Sequence, residues 1–191
     1  MNDQRDTIIE EWATVNAPPP PALQEVTVNP KVTALLILDI QNRNCNAERR
    51  PRCVASLPQV QGLLARARDR GIPVVYSLTS RAAETDIREE VSPRAGEPIV
   101  RAGVDKFYGT ELEAILKAKG VEAVILVGTS AHGAVLHTAT GAAMRGFQVI
   151  VPVDGMSAGD PYAEQYTAWH LANSPGTRRQ AVLTRISGIG F

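Results

Sequence analysis

Long apolar runs, surplus charge and cysteine are all scarce in this sequence, and each scarcity excludes something. No stretch of about 18 apolar residues occurs, so no membrane-spanning helix is expected. Twenty Lys and Arg balance twenty Asp and Glu, giving zero net charge. That balance favours neither nucleic acid nor an anionic membrane as a partner, and it leaves little repulsion between copies. The densest basic cluster, Arg49, Arg50 and Arg52 beside Glu48, reads as a solvated loop or an anion contact. The two cysteines, Cys45 and Cys53, are too few for a disulfide framework and lack metal-site spacing. A reduced pair in a cytoplasmic protein is therefore the expectation. The start, MNDQRDTIIEEWATV, has no apolar run of signal-peptide length. No glycine-rich phosphate loop, dinucleotide fingerprint or His/Asp/Glu cluster with metal spacing is found, so neither cofactor nor metal is expected.

What is present suits one globular domain. The 191 residues are 44% hydrophobic and 21% charged. Residues 1–30 read as an arm. Residues 3–15 suggest a short amphipathic helix with Ile8, Ile9 and Trp12 on one face, and Ala17 to Ala22 is a stiff polyproline spacer. A helix too short to be stable alone, held off by a stiff spacer, points to a frayed tail or to packing on a neighbouring subunit. The body, 31–191, alternates strands with helices. Strands are predicted at 32–40, 73–78, 98–101, 122–127, 148–153 and 181–186, with helices at 54–70, 111–119, about 131–145 and 160–172. Such alternation predicts a three-layer α/β/α domain with a mostly parallel sheet of about six strands and right-handed crossovers. Ligands of such sheets bind beyond the carboxyl ends of the strands.

The residues just past each strand are therefore the candidates. Asp39 closes the first strand, followed by Gln41 and Asn42. A carboxylate ending an apolar strand is costly to bury without a partner, so either desolvation or a cation sets its pKa. Its bland alternative is a loop cap. Arg101 ends the third strand and Lys106 follows shortly; either cation can serve Asp39. After the fourth strand comes Gly128-Thr129-Ser130-Ala131-His132-Gly133-Ala134, a strand-to-helix turn whose free amides can hold an oxyanion. The small residues that follow also suit close helix packing.

These blocks together resemble the isochorismatase-like, or cysteine hydrolase, superfamily. The segment TALLILDIQN is similar to its opening strand, IVRAGVDKFYGTELEAIL to its middle block, and VILVGTSAHGAVLHTATGAAMRGFQVIVPVDGMSA to its third. The resemblance spans roughly residues 31–187. It implies an Asp–Lys–Cys triad in which the Cys attacks an amide-type carbonyl, the Asp takes its proton, and turn amides hold the oxyanion. Asp39 falls on the family Asp. The family Lys falls on Arg101, with Lys106 able to take over; an Arg there gives electrostatic support only. The family Cys falls on Ala134. Thr129, Ser130, Ala131, His132 and Gly133, with Gln41 and Asn42, are the implied substrate contacts. Metal-dependent relatives carry histidines after the second strand, where this chain reads SLTSRAAETD.

A methyl group attacks nothing, so Ala134 opens three routes. The chain hydrolyses a C–N bond if Ala134 stands in place of a native Cys. It works without a thiol, with Asp39 as general acid or base on an isochorismate-type vinyl ether. Or it binds a small molecule without turnover. Cys45 approaching the same pocket is a further alternative. A dicarboxylate pocket, if there is one, would draw on Arg49, Arg50, Arg52 and Arg81. A small-molecule substrate and a homo-oligomer, dimer or tetramer, to which the arm contributes, complete the expectations.

Overall fold

Continuous apolar runs that are buried on both faces demand cover on both faces, and the computed structural model supplies it. The structure describes residues 7–191. A parallel sheet is built from β2 (Thr33–Leu38), β3 (Val74–Thr79), β4 (Ile99–Ala102), β5 (Ala123–Thr129), β6 (Gln148–Pro152) and β8 (Ala181–Thr184). Their order is β4-β3-β2-β5-β6-β8, and β7 (Met156–Ser157) pairs with the last two residues of β5 as a seventh strand. Outside the sheet, β1 (Val26–Thr27) pairs in parallel with β9 (Ile189–Gly190).

Alternation along β2 sends Ala34, Leu36 and Leu38 to one core and Leu35 and Ile37 to the other. The first core is covered by α3 (Leu112–Ala118), α4 (Leu136–Met144) and α5 (Pro161–Asn173). The second is covered by α2 (Pro51–Asp69), through Leu57, Val60, Leu63 and Leu64, and by Ile186 and Ile189 near the carboxyl terminus. Pro51 occupies the first turn of α2, where its missing N–H costs nothing, so the helix starts three residues earlier than predicted. Asp160 caps α5 by accepting from the Tyr162 amide at 2.7 Å.

Strand order runs outward from β2 on one side and from β5 on the other. The junction between them is the topological switch point, where a crevice opens at the carboxyl ends. A side chain on Gly128 (φ +138°) would place its Cβ 2.0 Å from the Leu38 carbonyl oxygen.

Two expectations need correction. Cys45 and Cys53 are not a reduced pair: they form a disulfide that ties the loop after β2 to the first turn of α2. With eight residues of separation, spacing alone gave no hint of it. The sulfurs meet because the loop folds back, with the Cys45 amide donating to Gln41 O and the Arg50 amide to Asn46 O. The arm helix α1 covers only Ile8–Glu11, and residues 3–6 of the predicted helix lie outside the described residues. The chain reaches the body before its first apolar run, since the Gln24 amide donates to Leu183 O at 2.9 Å. Among the described residues, no helix is long and apolar enough to cross a membrane.

Two stability outcomes follow. Gly128→Ala is expected to cost about 3 kcal/mol or more in denaturant unfolding, because backbone rather than a movable side chain blocks the new methyl. Reducing Cys45–Cys53 is expected to cost about 2–3 kcal/mol, the entropy of opening a short loop, read as a lower unfolding midpoint with dithiothreitol.

Candidate active site

Asp39 is the first residue past β2, and it turns the chain. Its φ of +51° lies in the left-handed region, which Asp tolerates better than most residues. The conformation is held from both sides: the Asp39 amide donates to Ser77 O at 3.2 Å, and the Gln41 amide donates to Asp39 O at 2.9 Å. The side chain therefore points across the switch point rather than along the strand.

Lys106 is the cation that meets it. Its Nζ lies 2.7 Å from Asp39 Oδ2 and also donates to Gly103 O at 2.6 Å and Ala102 O at 3.2 Å. With three acceptors for three protons, the ammonium is fully satisfied although its residue is 0% exposed. The loop after β4 carries it inward: the Lys106 amide bonds Thr138 Oγ1 on α4, and the Phe107 amide bonds Asp105 Oδ1. On the other carboxylate oxygen, Ser77 Oγ donates to Asp39 Oδ1 at 2.8 Å. Burial pushes the Asp39 carboxyl above its ordinary value of 3.8, and Lys106, Ser77 and Arg50 only partly draw it back.

Arg101 does not join this group. It sits on the edge strand β4 with its side chain outward, bonded to Ala82 O and to Glu84 Oε1 at 3.2 Å. Alternation decides this: Val100 and Ala102 take the buried positions, and Arg101 takes the outer one. Gln41 is buried but occupied, its Oε1 accepting from the Thr79 amide and from Asn44. Asn42 is exposed, and its amide is spent on Asp86 O.

The other wall is the turn after β5. Residues Ala131–Val135 form one wide helical turn that runs into α4. Gly133 and Val135 donate to Ser130 O, while the amides of Ala131 and His132 find no acceptor among the described residues. Gly133 packs against Ser130, and a Cβ there would lie 2.5 Å from Ser130 Oγ. Ala134 is buried and His132 exposed. Thr129 Oγ1 donates to Ser157 O, and Ser157 Oγ beside it is a buried hydroxyl with no partner among the described residues. Sequence reasoning missed Ser77 and Ser157. The parallel register that sets Ser77 opposite Leu38, and Ser157 opposite Thr129, is their only signal, and it is a property of the folded sheet.

A family model described as the isochorismatase domain matches residues 33–184. The chain belongs to the isochorismatase domain family. It is 29% identical over 146 residues to a secreted isochorismatase effector of Verticillium dahliae, covering 70% of this chain and 77% of that protein. It is 29% identical over 143 residues to maleamate amidohydrolase of Pseudomonas putida, covering 62% of this chain and 66% of that one. The crystal structure of N-carbamoylsarcosine amidase from Thermoplasma acidophilum superposes with a TM-score of 0.70 at 25% identity, over 81% of this chain and 96% of that one. Members of this family are named hydrolases and amidases, and this chain is a hydrolase of that family.

The assignment of the partner cation is open to measurement. Lys106→Met is expected to raise the Asp39 pKa further in a carboxyl-carbon NMR titration, whereas Arg101→Met leaves it unmoved. The stability linkage has a sign as well. An acid whose pKa is raised by folding contributes stability that is complete below 3.8 and lost as pH rises through the folded-state value. Asp39→Asn should remove that component from the pH dependence of unfolding.

Proposed function

We propose that this chain hydrolyses a small polar substrate without a covalent enzyme intermediate, with Asp39 as the group that moves the proton. One observation carries the reading: the sequence has two cysteines, both bonded to each other, so no thiol is left to attack a substrate. Ala134 at the family Cys position and Cys45 in the disulfide remove both thiol routes in the chain as it stands.

The remaining chemistry is that of a buried acid. A carboxyl held above its ordinary pKa by desolvation keeps a proton that an exposed one would lose. An isochorismate-type vinyl ether suits such a donor. Asp39 gives its proton to the terminal alkene carbon, and the ether oxygen stabilises the positive charge left on its neighbour. Water adds to that carbon and returns a proton to the Asp39 carboxylate. The resulting hemiketal breaks its C–O bond, releasing an alcohol and a ketone. Lys106 stabilises the carboxylate formed in the first step. The unpartnered amides of Ala131 and His132 support the reading as donors for the ether oxygen that departs when the hemiketal breaks.

Arg50 supports a substrate bearing a carboxylate. Of the loop arginines, Arg52 is paired with Glu164, and Arg49 and Arg81 are exposed. Arg50 is half-buried, makes no side-chain bond to a described residue, and acts electrostatically on Asp39. The disulfide supports work in an oxidising compartment rather than the cytoplasm.

A second reading rests on relatives named as amidases. Ala134→Cys would restore a thiol at the family Cys position on the turn after β5, and C–N hydrolysis through a thioester then becomes available. Gain of iodoacetamide-sensitive amidase activity in Ala134→Cys would support it; no gain over a broad amide panel would remove it.

The main reading makes two demands. Asp39→Asn should lower kcat/KM by at least about a thousandfold, the loss of the general acid, while alkylating the reduced cysteines leaves chemistry intact in protein that stays folded. The activity of the unaltered chain should decline as pH rises through an apparent pKa above 3.8, because the acid must be protonated. A fully active Asp39→Asn protein would sink the assignment.

A further inference from the structure

The largest cavity described is not at the Asp39–Lys106 pair. It is an open groove of about 630 Å³ between α4 and α5, lined by Leu136, Thr140 and Met144 on one side and Tyr162, Tyr166 and His170 on the other. Much of its lining is apolar and open to water: Met144 is 76% exposed and Tyr162 69%. A contiguous apolar surface of this kind marks an interaction site more often than a bare surface. All three histidines of the chain, His132, His137 and His170, also line it, with Asp105 as the one acid of the lining and with Arg145, which is paired with Glu113 at 2.9 Å.

The arm presents the opposite problem. Thr7 and Glu10 form a reciprocal capping box that starts α1, yet the helix is four residues long and buries nothing. Ile9 is 78% exposed and Trp12 71%, with Ile8 and Val15 beside them. A helix of this length does not hold itself together in water without packing. Residues 7–20 are exposed throughout, whereas Pro21 and Leu23 line a pocket shared with Pro161 and Ala168 of α5 and Leu183 of β8. The groove lies on the other flank of α5, so the chain's own arm passes it by. Between residues 7 and 25 the charged residues are Glu10, Glu11 and Glu25, with no Lys or Arg.

We propose that the groove between α4 and α5 receives the N-terminal arm of a second copy of this chain. An apolar helical face fits an apolar groove, and Glu10 and Glu11 of the arm meet a rim whose three imidazoles offer hydrogen-bond donors. The polyproline spacer holds α1 away from its own body and sets the reach. Reciprocal exchange about a two-fold axis makes the contact twice and closes the dimer, so each arm contributes half of the interface. The groove also borders the candidate site. His132 belongs to the turn after β5, and Asp105 precedes Lys106, so the partner's arm seats on the outer surface of the same loops.

The test uses the full chain in solution. Sedimentation velocity at micromolar concentration should give twice the 20.5 kDa chain mass. An arm variant, Ile9→Asp with Trp12→Asp, and a groove variant, Met144→Asp, should each weaken the dimer by more than about tenfold, as loss of buried apolar anchors does. All these positions are exposed in the single chain, so circular dichroism should be unchanged. Trans occupancy is read by mixing chains carrying only Trp12→Cys with chains carrying only Met144→Cys and adding a short bismaleimide; a cross-linked heterodimer is expected. A monomeric unaltered chain, a dimer indifferent to both variants, or no cross-link between the two singly substituted chains would each overturn the proposal.

Discussion

The pair between Lys106 and Asp39 is the constraint on which the site depends. A carboxyl group and an ammonium sit out of water at 2.7 Å, and neither polar group can be left there without a partner. Everything near them serves to satisfy them: Ser77 on the second carboxylate oxygen, the carbonyls of Ala102 and Gly103 on the ammonium, and Thr138 on the Lys106 backbone. These partners come from β2, β3, the loop after β4, and α4. The pair thus locks four elements into one relative position, and its main use is that placement rather than net stability.

The fold was legible because its signals are local and repeated. Continuous apolar runs followed by amphipathic helices left little choice but a parallel sheet covered on both faces. What escaped was either short or dependent on distant partners. β7 and β9 are two-residue strands, too brief to leave a pattern, and β1 pairs only with β9 at the other end of the chain. The wide turn at Ala131–Val135 reads as ordinary helix from its composition. The disulfide depends on a folded-back loop that no count of cysteines reveals.

The site was legible in part, for a related reason. Asp39 and the Gly128–Ala134 turn stand out because strand ends can be located from the sequence. The choice between Arg101 and Lys106 could not be made by distance along the chain. It turns on which face of an edge strand Arg101 occupies and on where a loop returns, and both are tertiary facts. The family resemblance put the Lys on Arg101 with Lys106 able to take over, and Lys106, five residues on, makes the contact. Ser77 lies far from Asp39 in sequence and is brought to it by the register of two parallel strands.

The close approach of Gly128 to the Leu38 carbonyl divides the chain's labour in two. On one side of that seam, β2, β3 and β4 with the following loop bring the acid and its cation. On the other, β5 to β8 bring the turn with its open amides. Each half winds outward from the seam, and neither holds a whole site. During synthesis the acid–cation half leaves the ribosome first, with a β2 edge that has no neighbour until β5 arrives. The same docking event that closes the middle of the sheet therefore brings the site into being, and a chain interrupted before β5 would carry the acid and the lysine with neither the wall opposite nor the Thr138 that holds Lys106.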